Sequence, residues 1–450
     1  MGFKYHPPTR CSCSVCEKLQ KEDTSVAIID TYAGKASSAN GYPFHNWYNF
    51  VLGYTPSFPE YVLNRENIIG RSNKVVLDPF GGSGTTQLVC KLHGIESYGV
   101  DANDFMVFAA QQKLNWTIST LQIQHDFRCV SDRFCNLASK VDWDNATLVS
   151  DLANKGRPDA LDKRYISDKP LLKIKLLRQA IDERSVNEEV HDILMFAVSA
   201  ILVPVSNIKY GPGFGVGKIK DDVDVFSVFS QKVHEITRDL SQVSTEQKET
   251  PATTILGDSR RLSEYLEAES VDLIITSPPY PGDHEYTKHS KLEIIFQGYA
   301  SDTKSFRTIK QRMIRGSTTN IYKTDNERRY VDNIQSINEV TTLIDERLKA
   351  DGASSGFEKL YTKLVWEYFG GMFQALKECY TVLKPGGKIA LLVSDSHAFK
   401  MVHIQTAELL RLVGEKAGFV NPEIELWQNK PSTSHKYQLR ENILYLQKPN

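Results

Sequence analysis

The chain has little of several things, and each shortage excludes a class of protein. Its formal net charge is -1, from 54 Lys and Arg against 55 Asp and Glu. No overall basicity marks it for nucleic acid, so a nucleic-acid face would have to be local. Seven cysteines in 450 residues do not make a disulfide framework. The longest mainly apolar stretch, 193–205, is shorter than the roughly 20 residues of a membrane helix and reads as a buried helix. No membrane partner is expected. The start, Met-Gly-Phe-Lys-Tyr-His-Pro-Pro, has no apolar run of the secretory kind. No Gly-Lys-Ser/Thr follows a glycine loop, which argues against a P-loop, and no Pro-Cys pair occurs. The 41% hydrophobic content fits a globular protein with a core, and the length allows two or three domains.

Against these shortages two segments stand out. Val271–Ile275 is an apolar run that reads as a buried strand, and it runs into Thr276-Ser277-Pro278-Pro279-Tyr280. Prolines fix φ and remove backbone donors. The Ser277 hydroxyl and the Pro278 carbonyl can then accept both protons of an exocyclic amine, while Tyr280 stacks on its ring. Taken alone, these residues also fit an ordinary strand-ending turn.

The second segment is Val75-Val76-Leu77-Asp78-Pro79-Phe80-Gly81-Gly82-Ser83-Gly84-Thr85-Thr86. It reads as a strand, a glycine turn and the start of a helix over 87–93. Residues 95–101 form a second strand ending in Asp101, an acid suited to two ribose hydroxyls. The glycines lack the spacing that cradles a pyrophosphate. Asp78 suits an ammonium and Phe80 a ring, so the ligand read from these residues is S-adenosylmethionine.

Together the two segments resemble those of the amino-group DNA methyltransferases, which methylate cytosine N4 or adenine N6. Asp78–Thr86 is similar to the family's cofactor motif, and Ser277–Tyr280 to its catalytic motif. Weaker likenesses follow. Leu256-Gly257-Asp258 resembles the acid-bearing turn near the adenine. Thr55–Pro59, with Ser57 and Phe58, resembles the segment that clasps the methionine end. Leu383–Lys388 resembles the turn into the fifth strand, and Arg440–Leu444 the closing strand. The resemblance covers about 45–120 and 250–449. It implies an α/β, Rossmann-like methyltransferase sheet with S-adenosylmethionine as cofactor and double-stranded DNA as partner. It also implies a cytoplasmic enzyme held to the nucleoid through DNA, and it leaves open whether a cognate restriction endonuclease exists. Ser277 in place of Asp favours cytosine N4. Adenine N6, an RNA or protein substrate, and a non-catalytic binding module are the alternatives.

Six parts are expected. Residues 1–45 form an N-terminal arm and 46–120 the cofactor half. A mainly helical insertion at 121–250 is a candidate for target recognition. Residues 251–298 carry the catalytic strand and loop, 299–360 a basic insertion, and 361–450 the rest of the sheet. The cofactor motif precedes the catalytic one, the reverse of many enzymes with this glycine loop, which leaves the place of target recognition open. Lys209, in the glycine-rich loop 206–218, and Arg312 and Arg315, in the basic insertion, are the expected DNA contacts. His284 or Glu285 is a candidate proton relay. Asp395 and His397 border the site or cap a strand. No metal is expected: Cys11, Cys13 and Cys16 read as free thiols on the N-terminal arm, with zinc ligation together with His6 as the alternative.

Overall fold

The computed structural model describes residues 42–450 except 72, 186, 211–213, 283, 353–355 and 432–437. The cysteine cluster at 11–16 lies outside the described residues.

Among the described residues nine strands occur in chain order: β1 (Val75–Asp78), β2 (Glu96–Asp101), β3 (Ile208–Tyr210), β4 (Phe214–Val216), β5 (Ala252–Leu256), β6 (Val271–Thr276), β7 (Leu383–Ser394), β8 (Val420–Pro431) and β9 (Gln438–Gln447). Seven of them form one sheet in the order β5-β2-β1-β6-β7-β9-β8. The pairs β5–β2, β2–β1, β1–β6 and β6–β7 are parallel, and β9 runs antiparallel to both β7 and β8. Strand order reverses at β1, whose neighbours are β2 and β6. That is the topological switch point, where open α/β sheets bind ligands at the carboxyl ends of their strands.

Both faces of the sheet are covered, which is why its central strands read as continuous apolar runs. Side chains alternate between faces. Leu77, Ile274, Leu391 and Val393 pack with the helices Tyr361–Val382 and Thr406–Ala417. Val76, Leu273, Ile275 and Leu392 pack with Phe58, Val62 and Val89 on the opposite side. Leu383–Lys388, expected as the turn into a strand, is a bulged turn at the start of β7. Val271 pairs with Leu383 and Leu273 with Lys388, so the proline and two glycines bulge out of the ladder. Gly386, at φ +73, is the residue that tolerates this.

Between β2 and β5 the chain is mostly helical, with its own core. The helices Thr120–Ala138, Asp168–Arg184, Glu188–Val205 and Val225–Leu240 pack together with Trp47 and Trp116. Glu188–Val205 is apolar on nearly every side and is buried accordingly. Asn187 caps it, accepting from the Val190 N–H at 3.1 Å. The segment expected as a glycine-rich loop contains an antiparallel hairpin, β3–β4. Among the described residues no helix is long and apolar enough to cross a membrane.

Candidate active site

The carboxyl ends of β1, β2, β5 and β6 carry the residues of interest. After β1 the chain turns through glycine. The Gly81 N–H reaches the Val100 carbonyl at 2.9 Å, and the Gly84 N–H reaches Gly81 at 2.9 Å. Gly82 and Gly84 have φ +50 and +84, conformations that side-chain-bearing residues resist. A Cβ on Gly84 would press Ala110 at 3.0 Å. The turn therefore packs closely on the helix Asp104–Leu114 and leaves bare backbone at the sheet edge. Asp101 closes it from β2, accepting from the Gly82 and Asn103 N–H groups at 2.8 Å each. Burial raises its carboxyl to about 6 and the Asp78 charge adds to that, against the two N–H donors and Arg312. A turn without side chains beside a strand-ending carboxylate fits a nucleoside.

Four residues expected to hold the cofactor are engaged by the protein's own groups. Asp78 is fully buried, and its carboxylate accepts from Thr276 at 2.6 Å, Tyr54 at 2.5 Å and the Phe80 N–H at 3.1 Å. It braces β1 to β6 and is not open to an ammonium. Phe58 is fully buried in the core against Trp427 and Tyr54. Ser57 hydrogen-bonds Thr55 at 2.6 Å. Asp258 accepts from Arg260 at 2.6 and 2.9 Å. Pro79, Ser83, Thr85 and Thr86 are buried supports of the turn, and Phe80 stays half-buried at its rim. Sequence reasoning missed Tyr54, whose hydroxyl also meets Thr86 at 2.5 Å. Its only signal was adjacency to Thr55–Pro59. Lys113 was missed too. It is wholly buried, 3.4 Å from the Ser83 hydroxyl, and burial lowers its ammonium to about 7.

At the end of β6 the ladder stops because Pro278 and Pro279 have no N–H. The Ser277 hydroxyl takes over. It donates to the Leu392 carbonyl on β7 at 3.0 Å and lies 2.8 Å from the Tyr280 hydroxyl. A serine has one proton. With that proton on Leu392, Oγ accepts from Tyr280 and keeps acceptor capacity in reserve. The backbone N–H of Tyr280 meets the Tyr286 hydroxyl at 3.2 Å, and Tyr368 donates to the Pro279 carbonyl at 2.9 Å. Among the described residues nothing donates to the Pro278 carbonyl. The relay expected of Glu285 does not fit. That carboxylate is buried, accepts from the Thr287 N–H at 2.9 Å and pairs with Lys310 at 2.9 Å. Asp395 is buried and bound to His403 at 2.9 Å, and His397 stacks on His403.

The expected DNA contacts divide. Lys209 is exposed on β3. Arg312 instead donates to the Asp104 carboxylate and to the Ala102 carbonyl at 3.2 Å, which docks the basic insertion onto the end of β2. Arg315 is buried. It forms a fork on Asp325 at 3.0 and 3.1 Å and reaches the Met313 carbonyl at 2.6 Å. Its fork holds a loop and is not presented to a phosphate. Arg315→Met is expected to cost roughly 3–5 kcal/mol, because it strands a buried Asp325 charge. A lowered urea midpoint would show this. Arg307, Arg328 and Arg329 are exposed, with their guanidinium carbons over the rings of Tyr322, Trp366 and Tyr330. Lys304 and Lys323 are exposed as well.

A mostly parallel sheet with one reversed strand, a bare glycine turn and a ribose-type acid is the framework of an S-adenosylmethionine-dependent methyltransferase. Residues 45–112 match the sequence model of the N6/N4 family described as DNA methylase. The Type II methyltransferase M.BsoBI of Geobacillus stearothermophilus is 24% identical, over 96% of this chain and 92% of its own. M.AvaI of Nostoc sp. is 21% identical, over 88% and 82%. Among solved structures, a SAM-dependent O-methyltransferase of Thermotoga maritima covers 88% of this chain and 67% of its own, at 8% identity and a TM-score of 0.28. Over residues 45–112 and in these relatives the chain is similar to the amino-group DNA methyltransferases, and that similarity implies S-adenosylmethionine as its cofactor.

Proposed function

We propose that the protein methylates the N4 amine of a cytosine flipped out of duplex DNA, at a specific site, as the modification half of a restriction–modification system. The choice of base rests on serine at position 277, the form that goes mostly with cytosine N4 in the family the motif resembles, and the Ser277 hydroxyl held on the Leu392 carbonyl supports its role as an amine acceptor. A carboxylate at 277 would have no proton for that carbonyl, whereas serine donates there and still accepts from an amine.

The amine of cytosine is a poor nucleophile because its lone pair is delocalised into the ring. Two acceptors, Ser277 Oγ and the Pro278 carbonyl, hold its two N–H groups and turn the lone pair out of the ring plane. Positioning of this kind supplies much of the rate. S-adenosylmethionine, when bound, supplies an electrophilic methyl group. Asp101 would hold its ribose and the turn Gly81–Gly84 its backbone-facing side. Extruding the base costs a few kcal/mol, and stacking on Tyr280 returns about 1–3 kcal/mol. The exposed arginines and lysines of the basic insertion follow the phosphates, and Lys209 reaches from the hairpin. Membership in restriction–modification rests on the likeness to M.BsoBI and M.AvaI, both Type II methyltransferases.

Incubation with labelled S-adenosylmethionine and, in parallel, duplex DNA, structured RNA or a protein mixture tests the substrate class. Label is expected in duplex DNA, and label confined to RNA or protein would overturn the reading.

A further inference from the structure

We propose that Tyr368 and Tyr286 are positioning residues that clamp a single peptide group, the one joining Pro279 to Tyr280, and so aim the Pro278 carbonyl. The inference rests on the reading that Ser277–Tyr280 receives an amine.

Tyr368 lies on the helix Tyr361–Val382, some 90 residues beyond the motif, and its ring is fully buried against Phe369. Its hydroxyl donates to the Pro279 carbonyl at 2.9 Å. The Tyr286 hydroxyl accepts the Tyr280 N–H at 3.2 Å. Those two backbone groups are the two ends of one planar peptide unit. A donor on one end and an acceptor on the other fix the rotation of that plane. The proline ring already fixes φ at 279. Only ψ of Pro279 then separates the clamped plane from the Pro278 carbonyl, the acceptor left without an internal donor among the described residues. A turn with two prolines has few N–H groups to pin it from within, so the pins come from outside.

The helix that carries Tyr368 is itself held in place. The Glu327 N–H donates to Glu367 at 2.6 Å, and a Cβ on Gly370 would collide with the Glu327 carbonyl. Gly316 packs close to the Tyr280 carbonyl, with 3.6 Å left for a Cβ. The basic insertion therefore backs both the helix and the loop.

Tyr368→Phe and Tyr286→Phe remove only the hydroxyls. With labelled S-adenosylmethionine pre-bound, the single-turnover transfer rate of Tyr368→Phe is expected to fall about tenfold or more, since small misplacements are costly. Cofactor Kd, the KM for DNA and the melting temperature should stay near those of the unmodified protein. Because both hydroxyls hold one plane, the double variant should lose less than the product of the single losses. If Tyr368→Phe does not fold, Tyr286→Phe carries the same test. A rate within about twofold of the unmodified protein, or a loss matched by weaker cofactor binding, overturns the proposal. Hydrogen exchange at the Tyr280 amide reads the clamp without any substrate. Faster exchange in Tyr286→Phe supports it and unchanged exchange contradicts it, even if the unmodified protein proves inactive on DNA and the functional reading itself fails.

Discussion

Ser277→Ala is expected to slow methyl transfer roughly 10²–10³-fold, the usual loss when one preorganised polar contact to a reacting group is removed. The hydroxyl is held by Leu392 and Tyr280 before any base arrives, so its orientation costs nothing at the moment of reaction. Cofactor affinity should be nearly unchanged, because the glycine turn and Asp101 do not touch Ser277 among the described contacts. The replacement leaves the Leu392 carbonyl without that donor, so a stability loss of about 1–3 kcal/mol should accompany the loss of rate. Two further variants sharpen the argument. Ser277→Asn retains a donor for Leu392 and an acceptor for an amine. Ser277→Asp brings a carboxylate against a carbonyl. Asn is therefore expected to keep more activity than Asp. Single-turnover rates at saturating cofactor make the comparison, and equal rates for the two would remove Leu392 from the account.

The second large effect belongs to Asp101. Asp101→Asn is expected to raise the cofactor Kd roughly 10–100-fold, since hydrogen bonds to a charged group are worth about 1.5–3 kcal/mol and an amide accepts less strongly. It also weakens the tie between β2 and the Gly82 N–H. A pH signature separates this role from a purely structural one. Burial sets the Asp101 carboxyl at about 6, and the ionised form is the one that accepts two hydroxyls. Below that pH the protonated fraction grows, so affinity in the unmodified protein should fall as pH drops through about 6. The acid limb should be absent from Asp101→Asn, which binds weakly at every pH. Calorimetric titration across pH 5 to about 8 would measure both. An acid limb that survives the substitution would assign it to another group.

Much of the sheet was legible because buried parallel strands announce themselves. Val75–Leu77 and Val271–Ile275 are short apolar runs bounded by polar or turn residues, and they became β1 and β6. Strand order was not legible, since nothing in 420–447 says that β9 inserts antiparallel between β7 and β8. The hairpin β3–β4 was hidden for a related reason. Its strands have three residues each, too few to show alternation.

At the site, the readable residues were those whose chemistry is odd for their place: glycines after a strand, prolines and a serine at a strand's end. Roles set by partners far along the chain were not readable. Asp78 looked like a ligand group because the sequence does not show that Tyr54 and Thr276 fill its oxygens. Arg312 and Arg315 looked like DNA contacts because a run of charge does not say which guanidinium turns inward. Asp104 and Asp325 decided that. Tyr368, one aromatic among many on an apolar helix, gave no sign of where its hydroxyl points.

The central claim is that Ser277 and the Pro278 carbonyl serve a cytosine. The most direct measurement is the identity of the methylated nucleoside in duplex DNA treated with the purified protein, digested and resolved by mass spectrometry. The account predicts N4-methylcytosine. N6-methyladenine would contradict it, keeping the methyltransferase reading and the cofactor but overturning the assignment of Ser277 to cytosine.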